Sequence, residues 1–311
     1  MSATQAIVVE GLSKRYGHIE AVHDVTFEVN AGEIFALLGP NGAGKTTTIE
    51  ILEGFRERDS GRISVLGYDP ADRRTSRELR ERLGVVLQEL AVEPFLSVQQ
   101  VLARHAGYFS RPLPVNNVLE QVGLMDKAAT RVKRLSGGQQ RRLDLALGII
   151  GNPELLILDE PTTGFDPSAR RDAWDLIRKL TENGTTVLLT THYMDEAEAL
   201  ASRVAIISGG RIVAQGTPES IGGRDKGACR IRFGLPPGTT ATDLPVPVSE
   251  GAGDAVEITT DDEIEVLARL TAWALEHQVN LIGLTVERLT LEDVYLHLVG
   301  YEAGIAAGGE T

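Results

Sequence analysis

The chain is poor in cysteine and aromatic residues, and it has no long apolar run. Cys229 is the only cysteine, which excludes an internal disulfide or a multi-cysteine zinc site and favours a reducing compartment such as the cytoplasm. No stretch reaches the roughly 18 uninterrupted apolar residues that a membrane-spanning helix needs. Residues 1–5 also lack the charged and apolar pattern of a signal peptide. We therefore expect any membrane role to come through a partner.

Positive charge is also scarce. The 31 Lys and Arg residues against 44 Asp and Glu residues give a net charge of -13, whereas nucleic acids and anionic lipids bind surfaces with an excess of cations. We therefore expect no nucleic-acid partner. The acidity is concentrated near the end, because residues 226–311 hold 5 basic and 14 acidic side chains, a net charge of -9.

Hydrophobic patterning predicts an α/β protein with two domains. Short β-type runs open the chain, and alternating strands and helices between residues 155 and 207 predict a parallel sheet. A mostly helical region covers about residues 89–150, with breaks at Pro112 and Pro114 and a predicted capping box between Ser97 and Gln100. A change of composition predicts a boundary, with a first domain over residues 1–225 and a small α+β domain over residues 226–311.

A glycine-rich segment after the third β-type run predicts a nucleotide site. Its glycines let successive amides point at phosphate oxygens, and the dipole of the helix that follows favours an anion. Lys45 would reach the β- and γ-phosphate oxygens, and the Thr46 hydroxyl would coordinate magnesium. A plain glycine-rich turn is the alternative, but the strand before it and the helix after it favour nucleotide binding. The predicted nucleotide-binding residues are Gly39, Pro40, Asn41, Gly42, Ala43, Gly44, Lys45, Thr46 and Thr47.

Two carboxylates end the apolar run 155–158. Ligands bind at the carboxyl ends of the strands of a parallel sheet, so Asp159 is predicted to hold magnesium. Glu160 is predicted to accept a proton from the water that attacks the γ-phosphate. Acidic residues that merely cap a strand end are the alternative interpretation.

A second glycine-rich turn follows Leu135, and it also opens a helix. Its residues are Ser136, Gly137, Gly138 and Gln139. One nucleotide needs only one such loop, so the pair is explained if the second loop contacts the γ-phosphate of a nucleotide bound to another copy of the chain. This predicts a homodimer formed through the nucleotide. Taken alone, Ser-Gly-Gly is also a common flexible helix start.

These motifs, in this order, resemble those of the ATP-binding cassette (ABC) ATPases over residues 5 to about 225. The resemblance implies a P-loop fold with a mixed β layer, a parallel-sheet core and a helical subdomain. It also implies that Tyr16 stacks on adenine and that Gln88 contacts magnesium and the attacking water. His192 matches the switch histidine of the family, which hydrogen-bonds the γ-phosphate and the catalytic water. Asp166 is similar to the loop that crosses the dimer interface, although as a residue before Pro167 it is equally suited to cap a helix.

Residues 190–199, the C-terminal residues 291–297 and the acidic domain resemble drug-exporter ATPases of the daunorubicin-resistance type. Tyr193 stands where importer ATPases more often have Asp. The resemblance implies a separate membrane permease, which residues 89–96 would face, and a peripheral location on the cytoplasmic side of the membrane.

Two other interpretations stay open. One is a soluble ABC ATPase that acts on ribosomes or DNA, against which the single compact cassette and the acidic tail weigh. The other makes the C-terminal domain a pure binding module, either for dimerisation or for docking to the permease.

Overall fold

The structure is a computed structural model that describes residues 4–86, 92–222, 229–236, 239–248, 250–252, 255–288 and 290–296. The chain divides into two compact units, Met1–Pro218 and Glu219–Thr311. Among the described residues, no helix is both long and apolar enough to cross a membrane.

The first unit contains nine strands and seven helices over its described residues. The strands are β1 (Gln5–Tyr16), β2 (Ile19–Asn30), β3 (Ile34–Leu38), β4 (Ser60–Val65), β5 (Leu83–Val86), β6 (Leu155–Asp159), β7 (Thr186–Thr191), β8 (Arg203–Ser208) and β9 (Arg211–Gly216). The helices are α1 (Lys45–Leu52), α2 (Ser76–Arg82), α3 (Val98–Ala106), α4 (Val115–Gln121), α5 (Gly137–Ile149), α6 (Pro167–Glu182) and α7 (Met194–Leu200).

A six-stranded sheet forms the core of this unit, in the order β5-β6-β7-β3-β8-β9. The first five strands are parallel, and β9 adds antiparallel to β8 at the edge. Every residue of β3, β6 and β7 is buried, as expected for central parallel strands covered on both faces. A separate antiparallel sheet has the order β2-β1-β4. The predicted parallel core and additional β layer are confirmed.

Helices α3, α4 and α5 lie between β5 and β6 in the chain, in the region predicted to be helical. The break at the prolines is confirmed, because α3 ends at Ala106 and α4 begins one residue after Pro114. The capping box of α3 is also confirmed. The Ser97 amide donates to Gln100 Oε1 at 2.9 Å, and the Gln100 amide donates to Ser97 Oγ at 3.2 Å.

Asp166 and Pro167 explain why helix α6 begins where it does, a few residues after β6. Asp166 accepts hydrogen bonds from the amides of Ser168 and Ala169, both at 2.9 Å, and Pro167 occupies the first helical position. Both features favour helix initiation. The predicted capping role of Asp166 is therefore confirmed.

The second unit is a small α+β module, as predicted. Its strands β10 (Cys229–Gly234), β11 (Glu250–Ala252), β12 (Ala255–Thr260) and β13 (Ile282–Arg288) form an antiparallel sheet in the order β11-β12-β10-β13. Helix α8 (Glu263–Glu276) places Leu270 in a core with Ile231 and Phe233. Thr290 and Asp293 exchange hydrogen bonds of 2.8 and 3.1 Å and cap the start of the last helical turn.

The carboxyl group of Glu53, which follows α1, is in an unusual environment. Burial, followed by repulsion from Asp159 and Glu50, raises its pKa to about 7. Its Oε1 atom is buried and has no hydrogen-bond partner among the described residues. Because the pKa of Glu53 is higher in the folded protein than the ordinary value of the unfolded chain, the fold is most stable when Glu53 is protonated. The free energy of unfolding therefore falls as the pH rises from about 4.5 through about 7.

We predict that Glu53→Gln, which cannot ionise, makes the protein more stable than the wild type at pH 8 but not at pH 5.5. The difference in unfolding free energy between the two proteins should grow by about 2 kcal/mol over this interval. Urea unfolding of nucleotide-free protein at both pH values measures it. Glu57→Gln removes an exposed carboxylate and is the control, expected to change stability by less than about 0.5 kcal/mol at either pH. A pH-independent effect of Glu53→Gln would contradict the prediction.

Candidate active site

The predicted phosphate-binding loop lies between β3 and α1. Gly42 and Gly44 have φ angles of +81° and +107°, in the left-handed region that glycine adopts without strain. A Cβ atom on Gly44 would lie 2.4 Å from the carbonyl oxygen of Ala21. The sequence therefore needs glycine here both for the backbone conformation and for the close approach of β2, and alternating backbone conformations of this kind form anion-binding concavities.

Lys45, the first residue of α1, is 5% exposed. Its ammonium group donates to the carbonyl oxygens of Gly39 at 2.8 Å and Pro40 at 3.2 Å, and it lies 4.0 Å from Glu160 Oε1. Burial lowers the pKa of Lys45, an effect opposed by the negative charges of Glu160 and Asp159. The loop thus holds a desolvated cation close to two carboxylates.

A cavity of about 360 Å³ opens beside this cation. Its wall is formed by residues of β2, the phosphate loop and the start of α1, and by the residue after β6. These residues are Ala21, Asn41, Gly42, Gly44, Lys45, Thr46, Thr47 and Glu160. A larger groove of about 600 Å³ lies between α4, α5 and α6, away from these groups. The chemistry therefore favours the smaller cavity as the nucleotide site.

The two predicted carboxylates lie at the end of β6, where this strand pairs with β7. Asp159 is opposite Thr190 in the parallel register, and the Thr190 hydroxyl donates a hydrogen bond to Asp159 Oδ1. Burial raises the pKa of Asp159, whereas the hydrogen bond from Thr190 lowers it. A divalent cation would favour the ionised form of this buried carboxyl.

Glu160 has a left-handed backbone, with a φ angle of +49°. Its amide donates to the Thr190 carbonyl oxygen at 3.0 Å, which fixes the turn against β7. Non-glycine residues rarely adopt this backbone conformation because it is sterically strained, and strained residues of this kind cluster at functional sites. The turn directs the Glu160 carboxylate toward Lys45 and His192.

His192 follows β7 and lies beside Glu160. Its Nδ1 atom is 3.1 Å from Glu160 Oε1, the same oxygen that lies near Lys45, and its side chain is 38% exposed. The structure therefore brings together Lys45, Asp159, Glu160 and His192, which the sequence places up to 147 positions apart.

The second glycine-rich turn is the start of α5. The Ser136 amide donates to Gln139 Oε1 at 3.0 Å and the Gln139 amide donates to Ser136 Oγ at 3.3 Å, so these side chains form a capping box. The residues that line the 360 Å³ cavity do not include this turn. Ser136 and Gln139 thus have a structural role, and contact with a nucleotide on another copy stays a prediction.

Arg141, in the first turns of α5, was not identified from the sequence. Its guanidinium is buried and donates to the carbonyl oxygens of Pro161 at 3.0 Å, Asp159 at 3.2 Å and Glu160 at 2.8 Å. The signal available in the sequence was its position close after the second glycine-rich turn. Arg141 ties the helix that this turn starts to the backbone that carries both carboxylates.

Two residues given by the resemblance have different outcomes. Tyr16 is at the end of β1 with 38% of its surface exposed, and its ring centroid lies 5.1 Å from the Arg56 guanidinium and 5.8 Å from the Lys14 ammonium. Its stacking on adenine stays a prediction. Gln88 lies outside the described residues.

Comparison with known protein families identifies both parts of the chain. The model described as ABC transporter matches residues 22–163, and the model of the C-terminal domain of ABC transporter domain-containing protein-like chains matches residues 229–290.

Full-length relatives and solved structures agree with this match. The daunorubicin resistance ATP-binding protein DrrA3 of Streptomyces coeruleorubidus is 36% identical over 96% of this chain and 97% of its own length. The Nod factor export ATP-binding protein I of Burkholderia thailandensis is 40% identical over 94% of this chain and 96% of its own.

The structure of cbiO1 from Clostridium perfringens, part of the ABC transporter complex cbiONQ, superposes with a TM-score of 0.63. It is 30% identical and covers 70% of this chain and 90% of its own. The chain is therefore an ATP-hydrolysing member of the ABC transporter family.

Proposed function

We propose that this chain is the ATP-hydrolysing subunit of an exporter of drugs or other amphipathic compounds, and that it powers a separate membrane permease from the cytoplasmic face of the membrane. The observation that carries this proposal is the match over nearly the whole chain to ATP-binding proteins of daunorubicin resistance and Nod factor export. The match extends through the C-terminal unit, where a second family model covers residues 229–290. We assign residues 1–225 to the ATPase domain, with its helical subdomain at about residues 89–150, and residues 226–311 to an accessory domain.

Magnesium would be held by the Thr46 hydroxyl, Asp159 and Gln88, together with phosphate oxygens. Hard oxygen donors suit this cation, which is usually bound by only one or two carboxylates. When bound, the cation would neutralise charge that develops on the phosphates.

The protein's own residues supply the remaining steps. Lys45 would exchange the carbonyl oxygens of Gly39 and Pro40 for the β- and γ-phosphate oxygens. Glu160 would accept the proton of the attacking water, and His192 would contact the γ-phosphate and orient that water. Support comes from the geometry, because Lys45 and His192 both lie beside one oxygen of Glu160.

A homodimer completes the proposed cycle. The Ser136–Gln139 turn would contact ATP bound to the second copy, so that ATP binding closes the dimer and hydrolysis opens it. Asp166 would act at the interface in addition to capping α6, and Tyr16 would stack on adenine. Within one copy, Arg141 joins the helix started by this turn to the backbone of Asp159 and Glu160, which would couple contact at the turn to the two carboxylates.

We predict that Glu160→Gln binds ATP normally but lowers turnover by about 10²–10⁴, the range for loss of a general base. The variant should also accumulate as an ATP-bound dimer. Phosphate release and size-exclusion chromatography with ATP measure the two effects, and the control is Glu182→Gln, which changes an exposed carboxylate of α6. Near-normal turnover of Glu160→Gln would exclude the proposed role.

Lys45→Ala should instead fail at nucleotide binding, because the ammonium compensates phosphate charge in the ground state as well as in the transition state. Equilibrium binding of a fluorescent ATP analogue measures the effect. Lys179→Ala removes an exposed lysine of α6 and should bind like the wild type. The prediction is wrong if Lys45→Ala, shown to be folded by circular dichroism, retains wild-type affinity.

The permease is tested by capture. Tagged Glu160→Gln with ATP should retain a polytopic membrane protein from detergent-solubilised membranes of the native host, identified by mass spectrometry at matching stoichiometry. Recovery of ribosomal or DNA-bound proteins instead would support the soluble alternative and overturn the transporter proposal.

A further inference from the structure

The residue that follows His192 contacts it directly. The ring centroids of His192 and Tyr193 are 4.1 Å apart with an interplanar angle of 38°. The guanidinium of Arg170 lies 4.5 Å from the centroid of the same tyrosine ring. Tyr193 is therefore in contact with both the histidine beside Glu160 and a cation on α6. Aromatic pairs and cation–π contacts are both attractive.

Arg170 is fixed in this position by α7. Its guanidinium donates to Asp195 Oδ2 at 3.0 Å, and its side chain is 22% exposed. The Nε atom of Arg170 is buried with no hydrogen-bond partner among the described residues. The same guanidinium lies against the Tyr193 ring, so the ion pair with Asp195 holds it where it contacts that ring.

The contact belongs to one face of α6. Residues four apart lie on the same side of a helix, and two more residues at this spacing reach α7. Trp174 Nε1 donates to the buried carboxylate of Glu196 at 3.1 Å, and Arg178 donates to the Ala199 carbonyl oxygen at 3.0 Å. Helix α6 therefore holds α7 along its length, and Arg170 is the member of this face that holds the end next to His192.

His192 needs such support because its other contact is temporary. Among the described residues, its ring has a polar contact with Glu160 and a tilted ring contact with Tyr193. In the proposed reaction the histidine exchanges Glu160 for the γ-phosphate and the attacking water. During that exchange, the ring contact with Tyr193 is the one that keeps the imidazole in place. Displacing a reacting group by about 1 Å can cost about 10²-fold in rate.

We propose that Tyr193 and Arg170 are positioning residues for His192, because the Arg170 guanidinium holds the Tyr193 ring and this ring holds the imidazole. The inference rests on the proposed role of His192. It explains why an aromatic residue stands directly after the histidine in this chain.

The test compares variants of the full-length protein in steady-state ATP hydrolysis. Tyr193→Leu and Arg170→Met should each lower kcat about tenfold, which corresponds to the loss of one such contact, with KM for ATP changed by less than about twofold. Tyr193→Phe keeps the ring and should retain wild-type kcat. In a His192→Ala background, single-turnover rates should show no further loss from either variant.

Arg178→Met is the matched control, because it removes a similar contact of the same helix face farther from His192. It should lower the melting temperature about as much as Arg170→Met does, but leave kcat unchanged. Equal loss of kcat in Arg178→Met, or losses that add to that of His192→Ala, would overturn the inference in favour of general packing.

Arg170→Lys, which retains a cation, replaces Arg170→Met if that variant does not fold. The kcat of Arg170→Lys should lie between those of the wild type and Tyr193→Leu. The two levels of the proposal can be told apart. Wild-type kcat in His192→Ala would reject the proposed role of His192 itself. A large loss of kcat in His192→Ala with normal kcat in Tyr193→Leu would reject only the positioning role of Tyr193 and Arg170.

Discussion

The parallel pairing of β6 with β7 is the constraint on which the site depends. Its register places Asp159 opposite Thr190, so the carboxylates that end one strand and the histidine segment that ends the next emerge at the same edge of the sheet. Since both strands are buried throughout, a shift of register would move apolar side chains out of the core. The hydrophobic core therefore fixes the distance between Glu160 and His192 more firmly than any surface contact could.

Arg141 extends this constraint to the helical region. A buried guanidinium is costly unless its donors are satisfied, and here three backbone carbonyls of the carboxylate segment satisfy it. Helix α5 can therefore change its position only together with the backbone of Asp159 and Glu160, or by breaking these hydrogen bonds. The Ser136–Gln139 turn thus has a short covalent and hydrogen-bonded connection to the carboxylates of Asp159 and Glu160.

The sequence allowed the phosphate loop, the carboxylates and the parallel core to be predicted, because each depends on local spacing or on strand burial. Contacts between distant segments could not be predicted in that way. The roles of Arg141 and of Thr190 depend on which strands become neighbours, and neither residue type is distinctive alone. Strand β12 and helix α2 were also missed, since both are short and charged or mixed in pattern. The Ser136 capping box has the same spacing as that of Ser97, but its glycines drew attention to ligand binding instead.

The charged groups of the proposed site contact one another or the loop carbonyls. Lys45 binds the loop carbonyls and lies near Glu160, and Glu160 in turn contacts His192. ATP binding would therefore replace existing partners of these charged groups with phosphate oxygens. It would not require unpaired charges in an apolar cavity beforehand. Such an exchange limits the desolvation cost of binding, because the ammonium is already out of water. After the exchange, His192 has lost its contact with Glu160, so other residues of the protein must keep its ring in the same orientation.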